Sequence, residues 1–151
     1  MEPIVYQPIG VVHSSLRPEE HVPPRPVRAR GIRAVIEVYD EYVDGLTDLE
    51  GFSHIVLLCH LHLSTGFSLI VKPPSDTTTH GVFATRSPRR PNSISLSVVR
   101  LERRDGRNLH VVDADLVDGT PVLDIKPYVP ETIHGDAVRL GWMETTGEPH
   151  A

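Results

Sequence analysis

Cysteine is nearly absent from this chain. Cys59 stands alone, so no intrachain disulfide can form and a reducing compartment is the simpler setting. Aromatic residues are scarce as well: three Phe, four Tyr and one Trp leave an aliphatic core as the expectation. Lysine occurs only at Lys72 and Lys126, so cationic chemistry falls mainly to arginine. No apolar stretch approaches the ~20 residues of a membrane-spanning helix, and the N-terminus lacks the basic start and apolar run of a secretory leader. The expectation is a soluble, cytoplasmic protein. The usual nucleotide-fold fingerprints are missing too. There is no GxGxxG after a strand, no GxxxxGK[ST] and no βαβ alternation, which excludes a Rossmann-type fold, and no GxSxG elbow to mark a serine nucleophile.

What is abundant is punctuation. Fourteen Pro and eleven Gly favour many turns, and hence many short strands, over long helices. The 151 residues suit one domain with its own core, and no linker or repeat divides them. Strands are expected over Ile4–Ser14, Arg30–Val38 and Leu69–Lys72. The run Phe52–Leu63 has no breaker and reads as a strand buried on both faces. Ser93–Arg103 and Asn108–Val117 form a hairpin across Asp105-Gly106, and Val122–Ile125 returns after a turn at Asp118-Gly119. Val138–Met143 is expected to close the sheet, and 144–151 reads as a polar, disordered tail. Asp40–Leu49 is the one helix expected, capped by Asp40, with Tyr42, Val43 and Leu46 on its apolar face. The fold class is therefore mainly β: a mixed-sheet barrel of about six or seven strands with one short helix.

Charge is uneven. The chain carries −5 at pH 7, yet residues 105–151 hold nine acids against three bases. Arg86 to Arg104 holds six arginines against Glu102 alone, so a basic strip survives within an acidic protein.

The most constrained stretch is Gly81–Ser97, GVFATRSPRRPNSISLS. Gly81–Ala84 reads as a short apolar strand that Pro88 forbids from continuing. Arg86, Arg89 and Arg90 then sit on a proline-braced turn, an arrangement that can grip an anionic group and that equally fits a basic surface hairpin.

This stretch resembles the signature of the TsaA-like family, the TrmO-type tRNA methyltransferases. Leu49–Ile55 upstream, Asp118–Pro130 downstream and the opening Pro8-Ile9-Gly10-Val11-Val12 extend the resemblance over roughly Ile4 to Pro130. One departure stands out: Ser93-Ile94-Ser95 replaces the family's Pro-Ile-Gly, so Ser95 carries a side chain where glycine is usual. The resemblance implies a homodimer that transfers a methyl group from S-adenosylmethionine to N6-threonylcarbamoyladenosine beside the tRNA anticodon. It further implies a cofactor pocket drawing on Arg25, Pro26, Leu63, Ser64, Arg86, Leu96 and the run Ala114, Asp115, Leu116 and Val117. Arg89, Arg90 and Asn92 fall on the substrate side, and Asp124, Lys126 and Tyr128 are the implied catalytic group. The family's longer members carry a further C-terminal domain, and the expectation is a short form without it. A small non-RNA acceptor, or a cofactor-binding module without turnover, are the alternatives.

Two clusters have a second reading. Asp124 and Lys126 share a strand face and can pair, as a tuned site or as an ordinary surface ion pair. His60 and His62 show metal-ligand spacing on a strand, but no second pair or carboxylate stands at a zinc interval and the family uses no metal. His62 matches a family position at the strand end, which points to a polar role near the ligand.

Overall fold

The computed structural model describes residues 1–17, 30–130 and 137–145. They divide into two compact units: the described residues of 1–63 with 94–128, and those of 64–93 with 129–151.

The first unit is a closed barrel of six strands. These are β1 (Gly10–Ser14), β2 (Arg33–Val38), β3 (His54–His60), β6 (Ile94–Asp105), β7 (Asn108–Val112) and β8 (Pro121–Pro127). Their order around the barrel is β1-β2-β7-β6-β3-β8, and every pairing is antiparallel where a mixed sheet was expected. Closure comes from Gly10 opposite Val122 and Val11 opposite Pro121, not from Val138–Met143. Gly10 is required there, because a Cβ would lie 2.4 Å from the Glu37 carbonyl oxygen.

Period-2 alternation fills the interior. Val12, Ile36, Ile55, Leu57, Val99, Leu109, Val111 and Val122 are fully or almost fully buried, and no aromatic ring joins them. The run 52–63 departs from expectation for a simple reason. A barrel wall has one interior face, so Ile55, Leu57 and Cys59 are buried while Val56 and Leu58 on the outside are only half-covered. Asp105 and Asn108 flank a two-residue hairpin whose first member, Gly106, has φ +61°, as a tight turn of this kind demands. β7 stops at Val112, short of Val117, because Asp113 adopts φ +71° and its carboxylate accepts from the Gly31 amide at 2.7 Å.

The expected helix is a 3₁₀ segment, Asp40–Leu46, with Tyr39 at the cap position and no side-chain cap. Seven residues with Gly45 among them are too few to nucleate an α-helix, and only Leu46 of the three apolar residues is buried.

The second unit contains the two-stranded pair β4 (Ile70–Val71) and β5 (His80–Gly81). Val82–Ala84, expected as a strand, is a 3₁₀ turn, and a further 3₁₀ turn, Gly141–Thr145, overlaps the end of the stretch expected to close the barrel and the start of the expected tail. Two-residue strands are too short to hold a chain by themselves. The hydrogen bonds from Val82 N to Leu69 O (2.9 Å) and from Ser68 N to Arg89 O (3.3 Å) supply the rest. Most of the expected tail, residues 146–151, lies outside the described residues.

Candidate cofactor and acceptor site

In the barrel, β3 ends where β6 begins, with His60 opposite Ile94 and Cys59 opposite Ser95. Cys59 and Ser95 therefore point to the same side, and Cys59 is fully buried, so both face the interior at this end. Ser97, two residues on, is buried and donates to Asp115 Oδ1 at 3.1 Å. Burial pushes the Cys59 thiol up to about 12, the Asp115 charge pushes the same way, and the Ser95 hydroxyl partly offsets them. At neutral pH Cys59 is a neutral thiol and no nucleophile. The alternation Ser95-Ser97-Val99 carried the signal for this inward polar pair, which the sequence reading passed over.

Two buried polar atoms at this end lack a well-formed hydrogen bond: His62 Nδ1, and Ser95 Oγ, whose one polar neighbour is the weakly bonding Cys59 thiol. His62 follows the end of β3, and its Nε2 lies 4.0 Å from where a Cβ on Gly119 would stand. A buried polar atom without a partner is costly, and such atoms concentrate where a ligand completes the set.

The outside of β3 and β6, continued onto β8, carries different chemistry. Register places Leu96 opposite Leu58 and Leu58 opposite Asp124, with Val98, Val56 and Lys126 forming the next row. Leu96 is 49% exposed, and Lys126 Nζ lies 3.3 Å from Asp124 Oδ2. Asp124 Oδ1 accepts from the Ile125 amide at 2.9 Å. Tyr128 is exposed, its amide bonded to His54 O at 3.1 Å and its ring edge-on to the His54 ring at 6.4 Å. Leu96, Asp124 and Lys126, far apart in sequence, thus share one outer face.

The other expected residues are distributed as follows. Ala114 and Leu116 are buried in the core, so only their backbone is left to meet a ligand. Asp115 and Val117 are half-buried, and Leu63 is exposed just beyond β3. Arg25 and Pro26 lie outside the described residues.

In the second unit the arginine loop is bound to itself. Ser64 Oγ and Ser93 Oγ both donate to Pro88 O, at 2.9 and 2.6 Å. Arg90 NH1 donates to the carbonyls of Thr85 and Ser87 at 3.0 and 3.1 Å, so this arginine closes the loop. Arg86, Arg89 and Asn92 are exposed. The basic strip 86–104 is split between the two units. Arg100 and Arg104 belong to β6, where Arg104 bonds Gly106 O at 2.8 Å and Leu46 O at 3.4 Å.

Comparison with known proteins adds the family. Residues 11–133 match the model described as the tRNA-methyltransferase O N-terminal domain. The chain belongs to this family. A probable S-adenosyl-L-methionine-binding protein of Pyrococcus abyssi is 48% identical over 141 residues, covering 93% of this chain and 77% of its own length. The mouse tRNA (adenine(37)-N6)-methyltransferase is 32% identical across 91% of this chain, which spans 35% of that protein. The crystal structure of TrmO from Pseudomonas aeruginosa superposes with a TM-score of 0.72 at 38% identity, covering 93% of this chain and 63% of that one.

S-adenosylmethionine, the ligand in the Pyrococcus relative's name, fits the residues present. Ser95 Oγ, His62 Nδ1 and the carboxylate of Asp115 match its hydroxyl and amino groups. Among the described residues, no three His, Cys, Asp or Glu side chains are grouped to hold a metal ion, and no helix is long and apolar enough to cross a membrane. The alternation that would have put His60 and His62 on one face ends at His60.

Proposed function

We propose that this chain methylates tRNA at N6 of N6-threonylcarbamoyladenosine beside the anticodon, in the cytoplasm, using S-adenosylmethionine. The observation that carries the reading is the outer face of β6-β3-β8, where the apolar Leu96 and the ion pair Asp124–Lys126 flank Leu58. When bound, the cofactor supplies a methyl group already activated on a sulfonium, so the protein's work is alignment, exclusion of water and management of one proton. Ser95, His62 and Asp115 hold the cofactor's polar groups at the end where β3 stops and β6 begins, and from there its methyl group is presented past the strand ends to the outer face, beside Leu96. Asp124 Oδ2 accepts the proton that N6 loses, and Lys126 Nζ, 3.3 Å away, stabilises the carboxylate beforehand and offers a cationic partner to the threonyl carboxylate. Arg86 and Arg89 contribute further cationic contacts to the RNA.

A homodimer belongs to the same reading. Ile94 and Leu96 are 44% and 49% exposed on an apolar stretch of barrel wall, and a second copy would cover it while drying the site. A binding module without turnover is the second reading, favoured by Ser95 in the place of glycine and by the name of the Pyrococcus relative. Mass spectrometry of tRNA nucleosides from a strain lacking this protein separates the two. Loss of methylated threonylcarbamoyladenosine, restored by wild type and not by Asp124→Asn, supports the enzyme; an unchanged nucleoside profile removes it.

A further inference from the structure

We propose that Asp76, His80 and Trp142 are positioning residues that fix the arginine loop through the carbonyl of Ala84. All three lie in the second unit, outside every residue set assigned to cofactor, acceptor or proton transfer.

The chain of contacts starts in a turn. Asp76 Oδ1 accepts from the amides of Thr77 and Thr78 at 2.7 and 3.3 Å, which orients its carboxylate. Its other oxygen accepts from His80 Nε2 at 2.5 Å and from Thr78 Oγ1 at 3.2 Å. The His80 contact, more than any other, holds Asp76 down to about 2, so the carboxylate is ionised at any working pH. The His80 ring stacks on Trp142, with centroids 4.5 Å apart and planes 15° from parallel. Trp142 Nε1 then donates to Ala84 O at 2.8 Å.

Ala84 is the last residue of the 3₁₀ turn before Thr85-Arg86. Thr85 is buried and returns a bond from Oγ1 to Val82 O at 2.8 Å, so both ends of this turn are anchored before the chain enters the arginine segment. A stack that served only as hydrophobic cover would need neither a carboxylate behind the imidazole nor a carbonyl in front of the indole. Here each polar contact leads to the next, and the series ends on the backbone that aims Arg86 and Arg89. The segment holding Trp142 therefore serves the loop. The inference rests on the reading above that the loop contacts the RNA.

Trp142 is the only tryptophan in the chain, so its fluorescence reports this relay without interference. Trp142→Phe keeps a ring for the stack and removes the donor; Asp76→Asn keeps the volume and removes the charge. Each should raise KM for tRNA by about 3- to 10-fold, the scale of one hydrogen bond, with kcat and melting temperature nearly unchanged. The double variant should be no worse than either single one, because both cut the same chain of contacts. In wild type, adding an anticodon hairpin carrying threonylcarbamoyladenosine should change Trp142 emission, and Asp76→Asn should shift the emission of the free protein and abolish that response. An unchanged KM in both variants, additive losses in the double, or a lowered melting temperature at constant KM overturns the proposal. If wild type binds no hairpin by calorimetry, the RNA reading fails. The relay is then decided by the free protein, where unchanged Trp142 emission in Asp76→Asn overturns it.

Discussion

Leu96 of β6 and Asp124 of β8 stand on either side of Leu58, on the outer wall of the barrel. The relationship matters because the proposed methyl transfer needs an apolar edge beside a carboxylate, and only strand register brings these two residues to one face. Asp124 is also partly exposed and joined to Lys126, so its part in folding is small: exposed ion pairs contribute about 0–1 kcal/mol. Asp124→Asn should therefore leave the melting temperature and cofactor affinity close to wild type while lowering kcat by about 10²- to 10⁴-fold, the range for loss of a general base. Stopped-assay turnover and calorimetry on the same preparation check both halves; a kcat within a few-fold of wild type would remove Asp124 from proton transfer.

The arginine loop should separate bracing from binding. Arg90 NH1 ties the Thr85 and Ser87 carbonyls, whereas Arg89 is exposed. Arg89→Ala should weaken tRNA binding and lower the log–log salt slope by about one, the value of a single phosphate contact. Arg90→Ala should loosen the loop, seen as faster amide exchange at Ser87 and Arg89. Identical salt slopes for Arg89→Ala and wild type would show that Arg89 meets no phosphate.

Ser95 tests the cofactor fit. Its buried hydroxyl has only the weakly bonding Cys59 thiol beside it, so Ser95→Gly removes a poorly compensated polar group from the folded protein. Calorimetry should show S-adenosylmethionine binding weakened by about 0.5–1.5 kcal/mol, the net worth of one hydrogen bond. Unchanged affinity would mean that the ligand does not reach this hydroxyl.

Cys59 gives a pH prediction. The thiol's ordinary value of 9.0 rises to about 12 in the folded protein. Below pH 9 both states hold the proton and stability is unaffected. Between 9.0 and about 12 only the unfolded thiol loses it, so stability falls as pH rises through that window. Thiol alkylation at pH 8 should be negligible until denaturant unfolds the chain, and Cys59→Ala should flatten the alkaline decline. Rapid alkylation of the native protein would contradict the burial.

Much of the barrel was legible in the sequence, because strand alternation and Asp-Gly turns are local signals. β2 and the β6–β7 hairpin show this, as Ala34, Ile36 and Val38 and the Asp105-Gly106 pair announce their own geometry. What was not legible depends on register or on groups distant in the chain. Nothing local says that Arg90 turns back onto Thr85 and Ser87, that Val82–Ala84 coils instead of pairing, or that Trp142 reaches Ala84. Asp113 illustrates a third limit: its left-handed backbone ends β7 where the apolar pattern alone would have carried the strand on to Val117.

The most direct measurement is methyl transfer by the purified protein to two tRNAs that differ only at the nucleoside beside the anticodon. One carries N6-threonylcarbamoyladenosine and the other unmodified adenosine. With labelled S-adenosylmethionine and no added metal, digestion and mass spectrometry should find one methyl group on threonylcarbamoyladenosine and none on the unmodified transcript. Transfer to neither, by protein that binds the cofactor in calorimetry, would contradict the assignment of this chain as the methylating enzyme.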